Sequence, residues 1–166
     1  MADTYGVFTF TKSDDSIVDE RALARALNQF QWDTSCGQWI YDAAAGGLYH
    51  SEYAAQYPTV YPQKITSVDC YCDETDTTYT KTAEEMTEQD WENMEECEYE
   101  DCELSELKEL LISHIKEGWF EIGYSSNQKQ RYVAFGTIRI AADGVATRRY
   151  AVSGITSGCG FEEETA

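Results

Sequence analysis

Twelve acidic residues and no basic one stand between Lys81 and Lys108. Carboxylates at that density can share a proton as general acid and base, hold a hard cation, or stand in for the phosphates of a nucleic acid. Acid pairs are too numerous here for any catalytic dyad to single itself out. The rest of the catalytic inventory is thin. No Ser, Cys or Thr sits in a nucleophile context such as Gly-x-Ser-x-Gly. His50 falls in an expected strand and His114 on a mostly apolar helix face, where a histidine reads as packed rather than as a base. The glycine-rich run 154–160 precedes no helix, so it is not a phosphate cradle. The expectation is a protein that is not an enzyme.

Metal chemistry fares little better. Asp73 and Glu84 stand at positions 1 and 12 of a would-be EF-hand loop, but Thr75 and Thr77 are poor ligands and Thr78 replaces the turn glycine. Cys70-x-Cys72 and Cys97-x₄-Cys102 hold four thiols, yet only the second pair has zinc spacing, and neighbouring carboxylates raise thiol pKa values. Cys70 and Cys72 read as core residues on one strand. No cofactor and no metal is expected; a small cysteine-dependent metal-binding or regulatory domain is the alternative.

Charge says more. The chain of 166 residues is 42% apolar, enough for one folded domain, and carries 31 acids against 12 bases, a net of −19. Residues 69–117 hold 18 of those acids and 3 bases, whereas residues 118–166 balance at 5 and 5. A charge so far beyond the roughly 2–8 that solubility needs argues against direct binding to nucleic acid or an anionic membrane. Segregated into one third of the chain, it points to a patch that meets a basic partner. No run approaches the ~18 apolar residues of a membrane span. The opening residues, Met1-Ala2-Asp3-Thr4-Tyr5, lack a basic region followed by an apolar stretch, so the expectation is cytoplasmic, in a host bacterial cell, with reduced thiols.

The elements that position these residues form an expected α+β single domain, 1–166: an antiparallel sheet with a C-terminal three-strand meander and two to three helices packed on it, one strongly acidic. Strands are expected at 5–11, 38–41, 48–50, 64–72, 119–124, 131–140 and 145–153, with turns at 125–127 and 142–144 and a frayed tail over 154–166. A helix capped by Ser16 buries Leu23, Leu27 and Phe30. Thr82 and Glu85 have capping-box spacing and open a second helix reaching about Cys97; a third starts at Ser105. On the second helix Glu84, Glu85, Glu88, Glu92, Glu95 and Glu96 share an arc of about 120° opposite Ala83, Met86, Met94 and Cys97, with Asp90 among the apolar positions. Exposed tyrosines at 53, 57, 61 and 99 are secondary interface candidates. Arg148 and Arg149, with Lys129 and Arg131, give the C-terminal sheet a basic edge that can pair with the acidic helices.

With the run from Glu84 to Glu106 on a short, acidic, single-domain chain, the sequence resembles the acidic DNA-mimic inhibitors that phages and plasmids carry against restriction enzymes and CRISPR effectors. The likeness is one of size and charge over about a quarter of the chain. It implies occupation of a basic nucleic-acid-binding groove, without catalysis. The expected partner-binding residues are Glu84, Glu85, Glu88, Glu92, Glu95, Glu96, Glu98, Glu100, Asp101 and Glu103. A close relative of this reading is an immunity protein that plugs a nuclease toxin.

Overall fold

The computed structural model describes residues 5–35, 37–128, 132–154 and 158–166, and their side chains outside 127–134 and 152–161. In chain order the strands are β1 (Tyr5–Lys12), β2 (Phe30–Gln31), β3 (Trp39–Asp42), β4 (Gly47–His50), β5 (Ala55–Gln56), β6 (Gln63–Cys72), β7 (Thr77–Lys81), β8 (Met94–Glu100), β9 (Trp119–Gln128), β10 (Tyr132–Ala141), β11 (Ala146–Gly154) and β12 (Gly158–Thr165). Among the described residues three α-helices, α1 (Glu20–Leu27), α2 (Glu88–Glu92) and α3 (Leu104–Leu111), complete an α+β domain whose sheets are antiparallel.

The main sheet runs β12-β11-β10-β9-β1-β5. Its strands alternate as half-buried strands must: Phe8 is buried while Tyr5, Val7 and Thr9 face outward. Phe8, Phe120, Ile122, Tyr124, Ile138 and Ile140 form one apolar face, packed with Leu23 and Leu27 of α1 and Leu104, Leu107 and Leu111 of α3. Trp32 and Trp39 meet edge to face at 6.1 Å in the same core.

Local signals in the sequence shift by a few residues. Asp19, not Ser16, caps α1, accepting from the Arg21 and Ala22 N–H groups, while Ser16 is buried. The third helix begins at Leu104, one residue before Ser105, and Glu106 reaches back to the Glu103 N–H. β9 continues through 125–127, so no turn lies there. Lys129 and Arg131 lie outside the described residues, as do Met1–Thr4 and Cys36. The turn at 142–144 is present, with Gly144 at φ +91°.

The tail is the larger correction. Residues 158–165 are not frayed but form β12, a fourth strand of the meander, and Ala166 and Ala146 exchange both backbone hydrogen bonds at 2.8 Å. Arg148 anchors it. Its guanidinium is buried, donates to Glu164 at 2.7 and 3.1 Å and to the Val60 carbonyl at 3.1 Å, and lies 3.9 Å over the Tyr61 ring. Arg149, exposed on the opposite face, pairs with Glu163 at 3.2 Å. Among the described residues the basic edge is thus spent on β12, not on the acidic helices.

Arg148→Ala is expected to lower stability by about 2–3 kcal/mol, because it leaves the Val60 carbonyl and Glu164 without their donor. Arg149→Ala, one residue on, is expected to change it by less than about 0.5 kcal/mol. Urea unfolding of the two variants checks the contrast.

Candidate functional site

The acidic third of the chain builds a second, smaller sheet. β6 pairs with β8 along one edge, and with β2 and β7 along the other. The expected helix to Cys97 is therefore replaced by a 3-10 turn (Ala83–Glu85), the five residues of α2, and a strand. The reason is legible in the residues. From Glu96 to Glu100 glutamate alternates with Cys97 and Tyr99, a period of two that a helix would scatter around its surface. Paired to β6, that alternation sets Cys97 beside buried Val68 and Tyr99 beside buried Ile65. The glutamates then face away from the small core. An irregular register beside Asp69 and Cys70 leaves Glu95 as an extra residue on β8.

The single carboxylate arc expected on a helix is thus divided in two. Glu96, Glu98 and Glu100 line the outer face of the small sheet at a strand repeat of about 6.7 Å. Asp69 lies opposite Glu96 and accepts from Thr80 at 2.7 Å. Tyr71, on the same face, donates to Asp76 at 2.5 Å. That hydrogen bond raises the phenol above its usual pKa, with burial and the charge of Glu95 adding to it. Asp69 and Asp76 belong to this face but were missed as site residues. The alternation of 64–72, with Val68 and Cys70 inward, already put Asp69 on the outer side.

Glu84, Glu85, Glu88 and Glu92 lie elsewhere. The 3-10 turn and α2 pack Ala83, Met86 and Trp91 against Val68 and Cys70, on the sheet's inner face. Asp101 and Glu103 follow the end of β8, where Asp101 accepts from Gln63 at 3.1 Å. All ten expected site residues are exposed, and among the described residues none is in an ion pair. The register sets one cation, Lys64, beside Glu100 at a corner of the face.

Asp90 is the exception that orders the rest. It is buried, accepts from Lys81 Nζ at 2.6 Å, from the Thr87 N–H at 2.9 Å and from Tyr79 Oη at 2.7 Å. Thr87 Oγ1 accepts in turn from the Asp90 N–H, so the capping box is Thr87–Asp90; Thr82 precedes the 3-10 turn without a side-chain cap, its hydroxyl donating to Glu85 at 3.0 Å. The three donors, led by Lys81, hold the Asp90 carboxyl well below the usual carboxylate range.

Between α1 and α2 lies a cleft of about 980 Å³, with Arg21 and Arg25 on one wall, Glu84, Glu88 and Glu92 on the other, and Met86, Trp91 and Met94 among its apolar lining.

The remaining candidates are not brought together. Cys70 and Cys97 sit in the small core, Cys102 packs against the main core, and Cys72 is half-buried; all four are free thiols. Burial pushes the Cys70 and Cys102 thiols up. No group of three or more His, Cys, Asp or Glu side chains converges on a metal position among the described residues. The would-be EF-hand segment is instead the β6–β7 hairpin. Tyr53, Tyr57, Tyr61 and Tyr99 are exposed, but Tyr61 is engaged beneath Arg148. His50 is buried against Phe8 and Trp39, 3.7 Å from Asp33, and desolvation holds its imidazole below the usual value.

His50 and Asp90 both make the fold acid-sensitive, and half-buried His114, also held below its usual value by desolvation, acts in the same sense as His50. Each folded pKa lies below the unfolded one, so the stabilisation is present above the unfolded pKa and is lost as pH falls. The His50 contribution declines from about pH 6.5 downward and that of Asp90 from about pH 4 downward. His50→Gln is expected to flatten the upper part of the stability–pH curve. Asp90→Asn is expected to flatten the lower part while costing about 2–3 kcal/mol at pH 7. Chemical denaturation from pH 3 to 8 reads both.

Compared with protein-family models, curated proteins and solved structures, the chain matches none.

Proposed function

We propose that this protein is a non-enzymatic inhibitor that occupies the basic nucleic-acid-binding groove of a host defence complex, a CRISPR effector or a restriction enzyme, in the cytoplasm of a bacterial host. The observation that carries this reading is the outer face of the small sheet. Glu95, Glu96, Glu98 and Glu100, flanked by Asp69 and Asp76, are exposed there and have no ion-pair partner among the described residues. Duplex DNA carries a phosphate about every 3.4 Å of axis on each strand. The glutamates of β8, about 6.7 Å apart, supply one carboxylate for every two such steps. A groove whose Lys and Arg are placed for phosphates gains charge-assisted hydrogen bonds from that row. The main sheet supports the division of labour, because its described arginines are already paired: Arg139 with Glu121, Arg148 with Glu164, Arg149 with Glu163. No helix among the described residues is long and apolar enough to cross a membrane.

The test is capture on immobilised protein from a bacterial lysate carrying restriction and CRISPR systems, eluted with stepped salt. The expected partner is a nucleic-acid-binding complex that is displaced by duplex DNA, with affinity falling at least about tenfold between 50 and 500 mM salt. Reversing Glu96, Glu98 and Glu100 to Lys is expected to abolish capture and inhibition of DNA cleavage. Inhibition by that triple variant equal to the unmodified protein's would refute the proposal.

A further inference from the structure

The cleft between α1 and α2 has a pattern of its own. One wall is cationic through Arg21 and Arg25, the other anionic through Glu84, Glu88 and Glu92, and Met86, Trp91 and Met94 supply apolar surface between them. Those three apolar side chains are half-buried rather than sealed into the small core. Methionine and tryptophan are well suited to contact apolar side chains of varied shape. The two charged walls do not neutralise each other, since among the described residues no ion pair joins α1 to α2. An α-helix is about 10 Å across and rises 1.5 Å per residue, so about 980 Å³ accommodates about two turns.

We infer that this cleft receives a short amphipathic helix of a partner protein, with lysines or arginines toward Glu84, Glu88 and Glu92, apolar side chains on Met86, Trp91 and Met94, and carboxylates toward Arg21 and Arg25. Charge complementarity fixes this occupant. A uniformly basic helix meets repulsion from α1, a uniformly acidic one meets it from α2, and an apolar one leaves both walls unpaired. Only a helix with separate basic, apolar and acidic stripes satisfies all three surfaces. The inference deepens the reading of a basic partner by giving it a second point of attachment, on the inner side of the small sheet. It rests on that reading only in supposing that the helix and the phosphate-binding groove belong to one partner.

The probe is a synthetic 18-residue helical peptide with a lysine stripe, a leucine stripe and a glutamate stripe, of zero net charge, so that the protein's overall charge does not draw it in. Binding is read by fluorescence polarisation of the labelled peptide. The peptide is expected to bind at least tenfold more tightly than a scrambled peptide of the same composition. Glu84→Gln, Glu88→Gln and Glu92→Gln together, all at exposed positions, are expected to weaken it at least tenfold. Arg21→Glu with Arg25→Glu is expected to do the same. Reversal of Glu96, Glu98 and Glu100 to Lys is expected to leave peptide binding within threefold. Equal binding of the scrambled peptide, or indifference to both cleft variants, overturns the inference and leaves the proposed inhibition standing. Peptide binding that obeys these expectations, from a protein that inhibits no nuclease, supports the cleft and overturns the inhibitor.

Discussion

The acidic third of the chain depends on the coordination of one carboxylate. Of the 18 acids between residues 69 and 117, only Asp90 is buried, and among the described residues it is also the one in an ion pair. Lys81 and Tyr79 approach from β7 and the Thr87 N–H from the start of α2, so the same two oxygens fasten a strand to a helix. That fastening lays Trp91 and Met86 over Val68 and Cys70. It also sets where the chain leaves the helix. Asn93 donates to Tyr79 Oη at 3.0 Å and its carbonyl accepts from the Tyr71 N–H at 2.9 Å, so β8 begins alongside β6 rather than as another helical turn.

With β8 placed, the remaining carboxylates have nowhere to go but outward. A small core of Ile65, Val68, Cys70 and Ala83 takes only one side of the sheet, and the alternation of Glu96 to Glu100 sends every second residue to the other. The main sheet follows a different rule. Its buried arginine is satisfied by a glutamate, a carbonyl and a tyrosine ring, and its exposed ones are paired along the strands. One chain therefore holds a charge-balanced sheet and an unbalanced one. The imbalance is confined to a body whose fold does not need those charges.

The large features were legible in the sequence because they rest on strong periodicity. β1 read from its β-branched and aromatic residues, β6 from its alternation, and α1 from Leu23 and Leu27 one turn apart. The β3–β4 hairpin read from two short apolar runs flanking small residues. The acidic segment was misread because glutamate favours helices and the spacing of Glu84, Glu88, Glu92 and Glu96 fits one turn of a helix. The competing signal was shorter, five residues of alternation, and it prevailed because β6 offered an edge to pair with. The tail was misread for a related reason. Its glutamates look like a solvated end until Arg148 and Arg149 are known to stand across from them, and nothing local in 158–165 announces that partner. Of the candidate site, identity and exposure were readable; the division of the acids between two surfaces was not, because it follows from where a strand begins.

β8 has one strand neighbour among the described residues, so its far side is a sheet edge. Edges of this kind invite another chain to add a strand, and from there to stack without limit. The glutamates of β8 make such growth unfavourable, since two copies laid edge to edge would bring rows of like charge together. The same residues proposed to attract a cationic groove thus also oppose edge-to-edge pairing of copies. On the proposed function, protection of the edge and attraction to the partner fall on one set of side chains, and a substitution that weakens their charge gives up both at once.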